Sequence, residues 1–268
     1  MLQIVGTRRG FKMSRSKQRS WPSEASRTRH DHAINILSYH TCGCLLPRAP
    51  GFRMSLKRLA SFSTTELSDA LVKLGVKAFF LPGITQRTAG RICAPAYTVQ
   101  MAMQSDPAPK LENHFVDEAP QGSVVVIDVP PQAYNAVWGG LMSAGALARG
   151  AVGVVVNGRC RDLAESRELG FPVFASGTST LGNSPFTKPI ASNVPLVVNT
   201  PNSDFPAVTI NPGDLIAADE DGVVCIPKDL VDEVVEQAAR GKAIDELCMK
   251  DISAGLGVKA TFAKYRGT

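Results

Sequence analysis

A chain of 268 residues holds one large domain or two small ones. Hydrophobic residues make up 44% of it, enough for a globular core. No apolar run reaches the roughly 18 residues of a membrane span, and Arg8, Arg9 and Lys12 interrupt the first apolar stretch, which argues against a secretory signal. The net charge of +5 is unevenly spread: residues 1–55 carry ten Lys or Arg against Glu24 and Asp31, whereas residues 56–268 carry 19 basic and 22 acidic side chains. The basic character therefore belongs to the N-terminal segment, and the remainder, at −3, is expected to bind neither nucleic acid nor a membrane.

Residues 1–53 are rich in Arg and Ser and show no sustained periodicity. They read as a mitochondrial-type transit segment, or as an extension ahead of a start at Met54. On either reading 1–55 is a disordered or targeting extension, and 56–268 forms a single α/β domain. Within the extension, His40, Cys42 and Cys44 offer a weak metal-ligand pattern. Cys93, Cys160, Cys225 and Cys248 sit in or beside apolar runs and read as inert core thiols of a reducing compartment. The expected location is the cytoplasm, or the mitochondrion if 1–53 is a transit segment.

Order is expected from about Leu56. Ser63-Thr-Thr-Glu66 is a capping box, followed by Leu67, Leu71 and Leu74 at helical spacing and by Gly75 as a stop. Ala96–Gln100 reads as a strand, and Ser123–Val129 as a strand buried on both faces. A loop from Pro130 to Gly140 leads into a small-residue helix, Leu141–Arg149, stopped at Gly150. The strand Val152–Val156 is expected to turn at Asn157-Gly158. It is followed by a short helix, Asp162–Leu169, and a strand, Pro172–Ala175. Two successive strand–helix–strand units imply a parallel sheet with right-handed crossovers. Beyond residue 177, Leu196–Asn199, Ala207–Ile210, Leu215–Ala217 and Val223–Ile226 read as antiparallel hairpins, and 228–250 as a final amphipathic helix.

Two loops carry candidate chemistry. Gly139-Gly140-Leu141-Met142 stands where a loop enters a helix, so its N–H groups suit a carboxylate. The structural alternative is a tight turn that needs glycine at positive φ. Arg161-Asp162 follows the next strand, offering a guanidinium for a carboxylate and a hard oxygen for Mg²⁺. Here the alternative is a helix N-cap at Asp162 completed by Glu165, with Arg161 bridging to Glu165. Both loops leave the carboxyl ends of adjacent parallel strands, where open sheets place their ligands. Together they suit a small 2-oxo acid.

The run from Trp138 to Asp162 resembles the signature of the family named for regulator of ribonuclease activity A. That family includes class II 4-hydroxy-4-methyl-2-oxoglutarate aldolases and oxaloacetate decarboxylases. Ser68–Leu71, Phe174–Gly177, Pro212–Asp214 and Asp219–Val223 also fit, so the resemblance covers about 56–268. It implies a compact domain of swivelling β/β/α type, assembled as a homotrimer or a hexamer. Gly139 to Met142 would supply substrate-binding backbone, Arg161 would bind the pyruvyl carboxylate, and Asp162 would bind Mg²⁺ or another divalent cation such as Mn²⁺. A further acid, Asp245 or Glu246, would reach a neighbouring subunit's site. The aldolases have an aspartate where this chain has Gly140, which favours decarboxylation over aldol cleavage.

The implied activity is metal-dependent cleavage of a C3–C4 bond, releasing pyruvate. A protein-binding regulator resembling the ribonuclease inhibitor of the same family is the alternative. Methyl transfer to a quinone, also attached to the family by name, lacks the Gly-rich nucleotide loop and ribose-binding acid it would need.

Overall fold

The structure, a computed structural model, describes residues 50–199 and 205–267. The segment 1–49, with the His40, Cys42 and Cys44 set, lies outside the described residues. Two helices come first, α1 (Pro50–Leu59) and α2 (Thr64–Lys73), followed by β1 (Thr85–Gln86), β2 (Ile92–Met103), β3 (Val124–Asp128) and β4 (Ala136–Trp138). The central part is α3 (Gly140–Ala148), β5 (Gly153–Cys160), α4 (Leu163–Glu168) and β6 (Val173–Thr178). Then come β7 (Thr187–Ser192), β8 (Leu196–Val198), β9 (Val208–Ile210), β10 (Leu215–Asp219), β11 (Gly222–Ile226), α5 (Val231–Ser253) and α6 (Val258–Tyr265).

The expected parallel core is present. β2, β3, β5 and β6 run parallel in the order β6-β5-β3-β2, and β4 adds to the far end of β5. The sheet is mixed rather than purely parallel, because β1, β7 and β10 join it antiparallel. The length of β2 makes this possible. Residues 92–95 pair with β10, 96–100 with β3 and 99–103 with β7, so one strand belongs to three ladders. The two C-terminal hairpins are also as read from the sequence: β8 pairs antiparallel with β9, and β10 with β11.

The boundaries differ where the polypeptide continues through a turn-like sequence. Helix α1 begins at Pro50 rather than near Leu56. Asn157-Gly158 does not turn: β5 continues to Cys160, with the register against β6 shifting between Val156 and Arg159. Such a shift re-aims the side chains that follow. The expected loop 130–140 contains β4, and the last helix spans Val231–Ser253, with a separate α6 behind it.

The apolar side chains divide by face. Val125, Ile127, Val154 and Val156 point to one side of the parallel strands, with Trp138, Ala146 and Phe171. Val124, Val126, Val155 and Phe174 point to the other, with β8–β11. A third group places Leu59, Leu67 and Leu71 of the first two helices against Val231, Val234, Val235 and Ala238 of α5. The capping box of α2 is formed as expected: the Glu66 N–H donates to Ser63 Oγ (3.2 Å), and the Ser63 N–H donates to Glu66 Oε2 (2.9 Å).

Candidate active site

The pairing of β4 with β5 joins two loops that lie far apart in sequence. Trp138 is the register partner of Cys160, so the next residues, Gly139 and Arg161, leave the sheet side by side. The Arg161 N–H donates to the Trp138 carbonyl at 2.9 Å and closes the junction. From there one chain enters α3 and the other α4. A buried relay ties the helices together: the Trp138 indole N–H donates to Ser143 Oγ (2.9 Å), which hydrogen-bonds Ser166 Oγ (2.9 Å). Trp138 is itself stacked on Phe171, with ring centroids 6.0 Å apart.

The glycines are needed for space, not for a turn. Gly139 is extended (φ −152°, ψ −173°) and Gly140 opens α3; neither has positive φ. A Cβ on Gly139 would stand 2.5 Å from Asp162 Oδ2 and 3.4 Å from Arg161 Nε. A Cβ on Gly140 would stand 1.7 Å from Glu165 Oε2. The loop is therefore a surface on which charged side chains lie. This excludes the tight-turn alternative.

Asp162 does not cap its helix. Its backbone is left-handed (φ 55°, ψ 42°), which is uncommon outside glycine, and its side chain makes no capping bond. Instead its Oδ2 accepts the Gly140 N–H at 3.2 Å and faces Arg161 Nε at 3.3 Å. The ion pair of Arg161 is thus with Asp162 and not with Glu165. A non-glycine residue held in this region, with its carboxylate turned away from the local backbone, is the kind of strain found at functional sites.

Arg161, Asp162 and Leu163 line a crevice with Thr178, the last residue of β6, and with Ser179 and Thr180 just after it. Arg161 also lies against the β6–β7 loop, where a Cβ on Gly182 would meet its Nη1 at 2.9 Å. The sequence reading missed this third wall, whose small polar residues carry no recognisable spacing. Of the helix-start N–H groups, that of Gly140 is committed to Asp162. Leu141 is 80% exposed.

Another polar group was overlooked. Gln100, Asp128 and Asn157 stand abreast on β2, β3 and β5. Asp128 accepts from Asn157 Nδ2 (2.8 Å) and Gln100 Nε2 (3.1 Å), and burial raises its pKa above the ordinary carboxylate value despite these bonds. An acid closing the run Val-Val-Val-Ile was the available signal.

Asp245 and Glu246 are not gathered into this crevice. Asp245 accepts from Arg266 Nη2 at 2.5 Å, and Glu246 is exposed. The four described cysteines are free thiols; burial pushes Cys93 to about 12 and Cys160 to about 11, in keeping with inert core residues. Among the described residues no helix is long and apolar enough to cross a membrane, and no group of three or more His, Cys, Asp or Glu could hold a metal ion. A cage made wholly of protein ligands does not fit this site. A single hard carboxylate oxygen does fit Mg²⁺, which keeps several waters and takes only one or two carboxylates.

The architecture is that of an α/β protein with a polar crevice at the carboxyl ends of adjacent parallel strands. The chain belongs to the RraA-like family, described as Aldolase/RraA, whose profile matches residues 64–225. A protein of Halalkalibacterium halodurans, provisionally named 4-hydroxy-4-methyl-2-oxoglutarate aldolase, is 33% identical over 198 residues, which are 74% of this chain and 88% of that one. Protein DlpA of Legionella pneumophila is 32% identical over 202 residues, 75% of this chain but only 32% of DlpA's own length. Among solved structures, Streptomyces coelicolor RraAS2, described as an unusual member of the RNase ES inhibitor RraA protein family, superposes with a TM-score of 0.65 at 28% identity. That match covers 74% of this chain and 98% of RraAS2. An uncharacterised Pseudomonas syringae protein gives 0.67 at 31% identity, covering 78% and 96%.

Proposed function

We propose that the protein is a divalent-metal-dependent lyase that cleaves the C3–C4 bond of a 2-oxo acid and releases pyruvate. The observation that carries this reading is the side chain of Asp162. It is withheld from its own helix, held against Gly140 and Arg161, and turned to a crevice walled by polar residues.

Arg161 binds the substrate carboxylate through its guanidinium, a geometry that two parallel N–H···O bonds favour. The N–H groups of Leu141 and Met142 supply further donors at the start of α3. Asp162 would hold the cation through its carboxylate. A bound Mg²⁺ or Mn²⁺ would act as a Lewis acid on the 2-oxo group, contributing several kcal/mol. Gly139 and Gly140 keep the floor flat enough for both charged side chains. Loss of carbon dioxide corresponds to oxaloacetate, and loss of a second 2-oxo acid to 4-hydroxy-4-methyl-2-oxoglutarate.

The test is to incubate the purified protein with each substrate, with and without Mg²⁺, and follow pyruvate. Metal-dependent release from either supports the reading; none from both overturns it. In that case the likeness to RraAS2 favours the second reading, a protein-binding regulator of ribonuclease that uses the same fold without turnover.

The quaternary state proposed with this reading is a homotrimer or hexamer, supported by the exposed apolar residues Met249, Leu256 and Val258 around the α5–α6 junction. Glu246, exposed on α5, is the candidate to reach a neighbouring site, since Asp245 is already paired. Light scattering at micromolar concentration that gave the mass of one 28.6 kDa chain would refute assembly. The free thiols support a cytoplasmic location. Residues 1–53 are proposed to be dispensable for the fold, apart from those that open α1 at Pro50.

A further inference from the structure

Glu165 occupies the space that a side chain at position 140 would take. Its Oε2, Cδ and Cβ lie 1.7, 2.7 and 2.8 Å from where a Cβ on Gly140 would stand. The sequence pairs Glu165 with Asp162 in a capping box, but neither half of that box forms. Among the described residues no hydrogen bond or ion pair engages the Glu165 carboxylate. Gly140 thus has one carboxylate on each side: Asp162 on its N–H and Glu165 over its Cα. Asp162 is committed to Gly140 and Arg161, whereas the exposed Glu165 carboxylate has no such partner among the described residues. Glycine at 140 is what admits it.

From this geometry, and resting on the lyase reading above, we infer that Glu165 is the proton acceptor for aldol cleavage. It takes the proton of the substrate's C4 hydroxyl. The C3–C4 bond breaks as that oxygen becomes the oxo group of one pyruvate. The bond's electron pair passes to C3, forming the enolate of a second pyruvate, which takes the proton back from Glu165 at C3. Decarboxylation of oxaloacetate has no hydroxyl proton to remove and does not need Glu165. Glycine at 140 therefore does not disable aldol chemistry; the acid arrives from α4 instead of α3.

Two experiments test this. In the Mg²⁺-loaded enzyme, Glu165→Gln should lower kcat for 4-hydroxy-4-methyl-2-oxoglutarate by roughly 10²-fold or more, the range of a lost general base. KM and oxaloacetate decarboxylation should stay near native values. Without metal or substrate, Gly140→Ala should lower the melting temperature in the native background and do so much less in a Glu165→Gly background, where the opposing atoms are gone. An unchanged aldol kcat in Glu165→Gln, with the native protein active, overturns the inference and leaves the lyase reading standing. Equal melting losses in both backgrounds also overturn it, because the carboxylate would not then sit over Gly140. A native protein that releases no pyruvate from either substrate removes both.

Discussion

Replacing Asp162 by Asn separates the charge of this residue from its shape. The backbone there is left-handed (φ 55°, ψ 42°), a region that Asn enters as readily as Asp, so the substitution adds no backbone cost. The amide oxygen can still accept the Gly140 N–H, now 3.2 Å from Oδ2. What is lost is the negative charge 3.3 Å from Arg161 Nε, in a pair whose side chains are 44% and 35% exposed. Solvent screening limits such a pair to about 1 kcal/mol. In a domain of this size 1 kcal/mol moves the melting temperature by roughly 2–4 °C. Asp162→Asn is therefore expected to melt within that margin of the native protein and to release no pyruvate above background at any Mg²⁺ concentration. Differential scanning calorimetry and a lactate dehydrogenase-coupled assay read the two effects separately. Asp162→Ala is the control for shape: it forfeits the Gly140 bond and forces alanine into the left-handed region, which costs roughly 1–2 kcal/mol. Native-like turnover in Asp162→Asn would end the metal assignment. A melting loss far above the margin would show that the carboxylate serves the fold.

Gly139→Ala is expected to fold, because its extended backbone suits alanine, but to lose metal-dependent turnover as the new Cβ displaces Asp162 Oδ2 from a position 2.5 Å away. Melting and pyruvate assays on one preparation check this. Ser143→Ala removes the acceptor of the buried Trp138 indole N–H, and an orphaned buried donor costs about 1–3 kcal/mol, so the melting temperature should fall by several degrees. Asp128 gives a pH signature. Its folded pKa is raised, so the folded state holds its proton more tightly than the unfolded chain, and ionisation costs stability as pH rises from the ordinary carboxylate value through the folded one. Relative to Asp128→Asn, the native protein should therefore gain in melting temperature as pH is lowered from 7 towards about 4; a pH-independent difference would contradict the burial argument.

The elements that could be read from sequence carry their signal locally. The capping box at Ser63–Glu66, the apolar run of β3 and the paired hairpins each need only neighbours in the chain to be recognised. Those that escaped depend on what lies across the sheet. Asn157-Gly158 has turn composition, yet β5 passes through it, because β6 supplies ladder partners on the far side of the register shift at Arg159 and Cys160. β4 is three residues inside a loop, and only its pairing with Arg159 and Cys160 makes it a strand.

The same distinction separates the two halves of the candidate site. Arg161-Asp162 and the double glycine were visible as motifs, because each is contiguous and stands at the end of an apolar strand. Their roles were not visible. A glycine needed for positive φ and a glycine needed for a neighbour's approach are the same letter, and an aspartate before a helix looks like a cap whether or not it caps. The structure decides both by where the carboxylates go: Asp162 to the Gly140 N–H, and Glu165 into the space over Gly140. Position 140 read alone lacks an acid. Positions 140 and 165 read together do not, and the packing of α3 against α4, held by the Ser143–Ser166 hydrogen bond, is what makes them one position in space. A substitution at either is therefore expected to be felt at the other, as residues in contact depart from additivity.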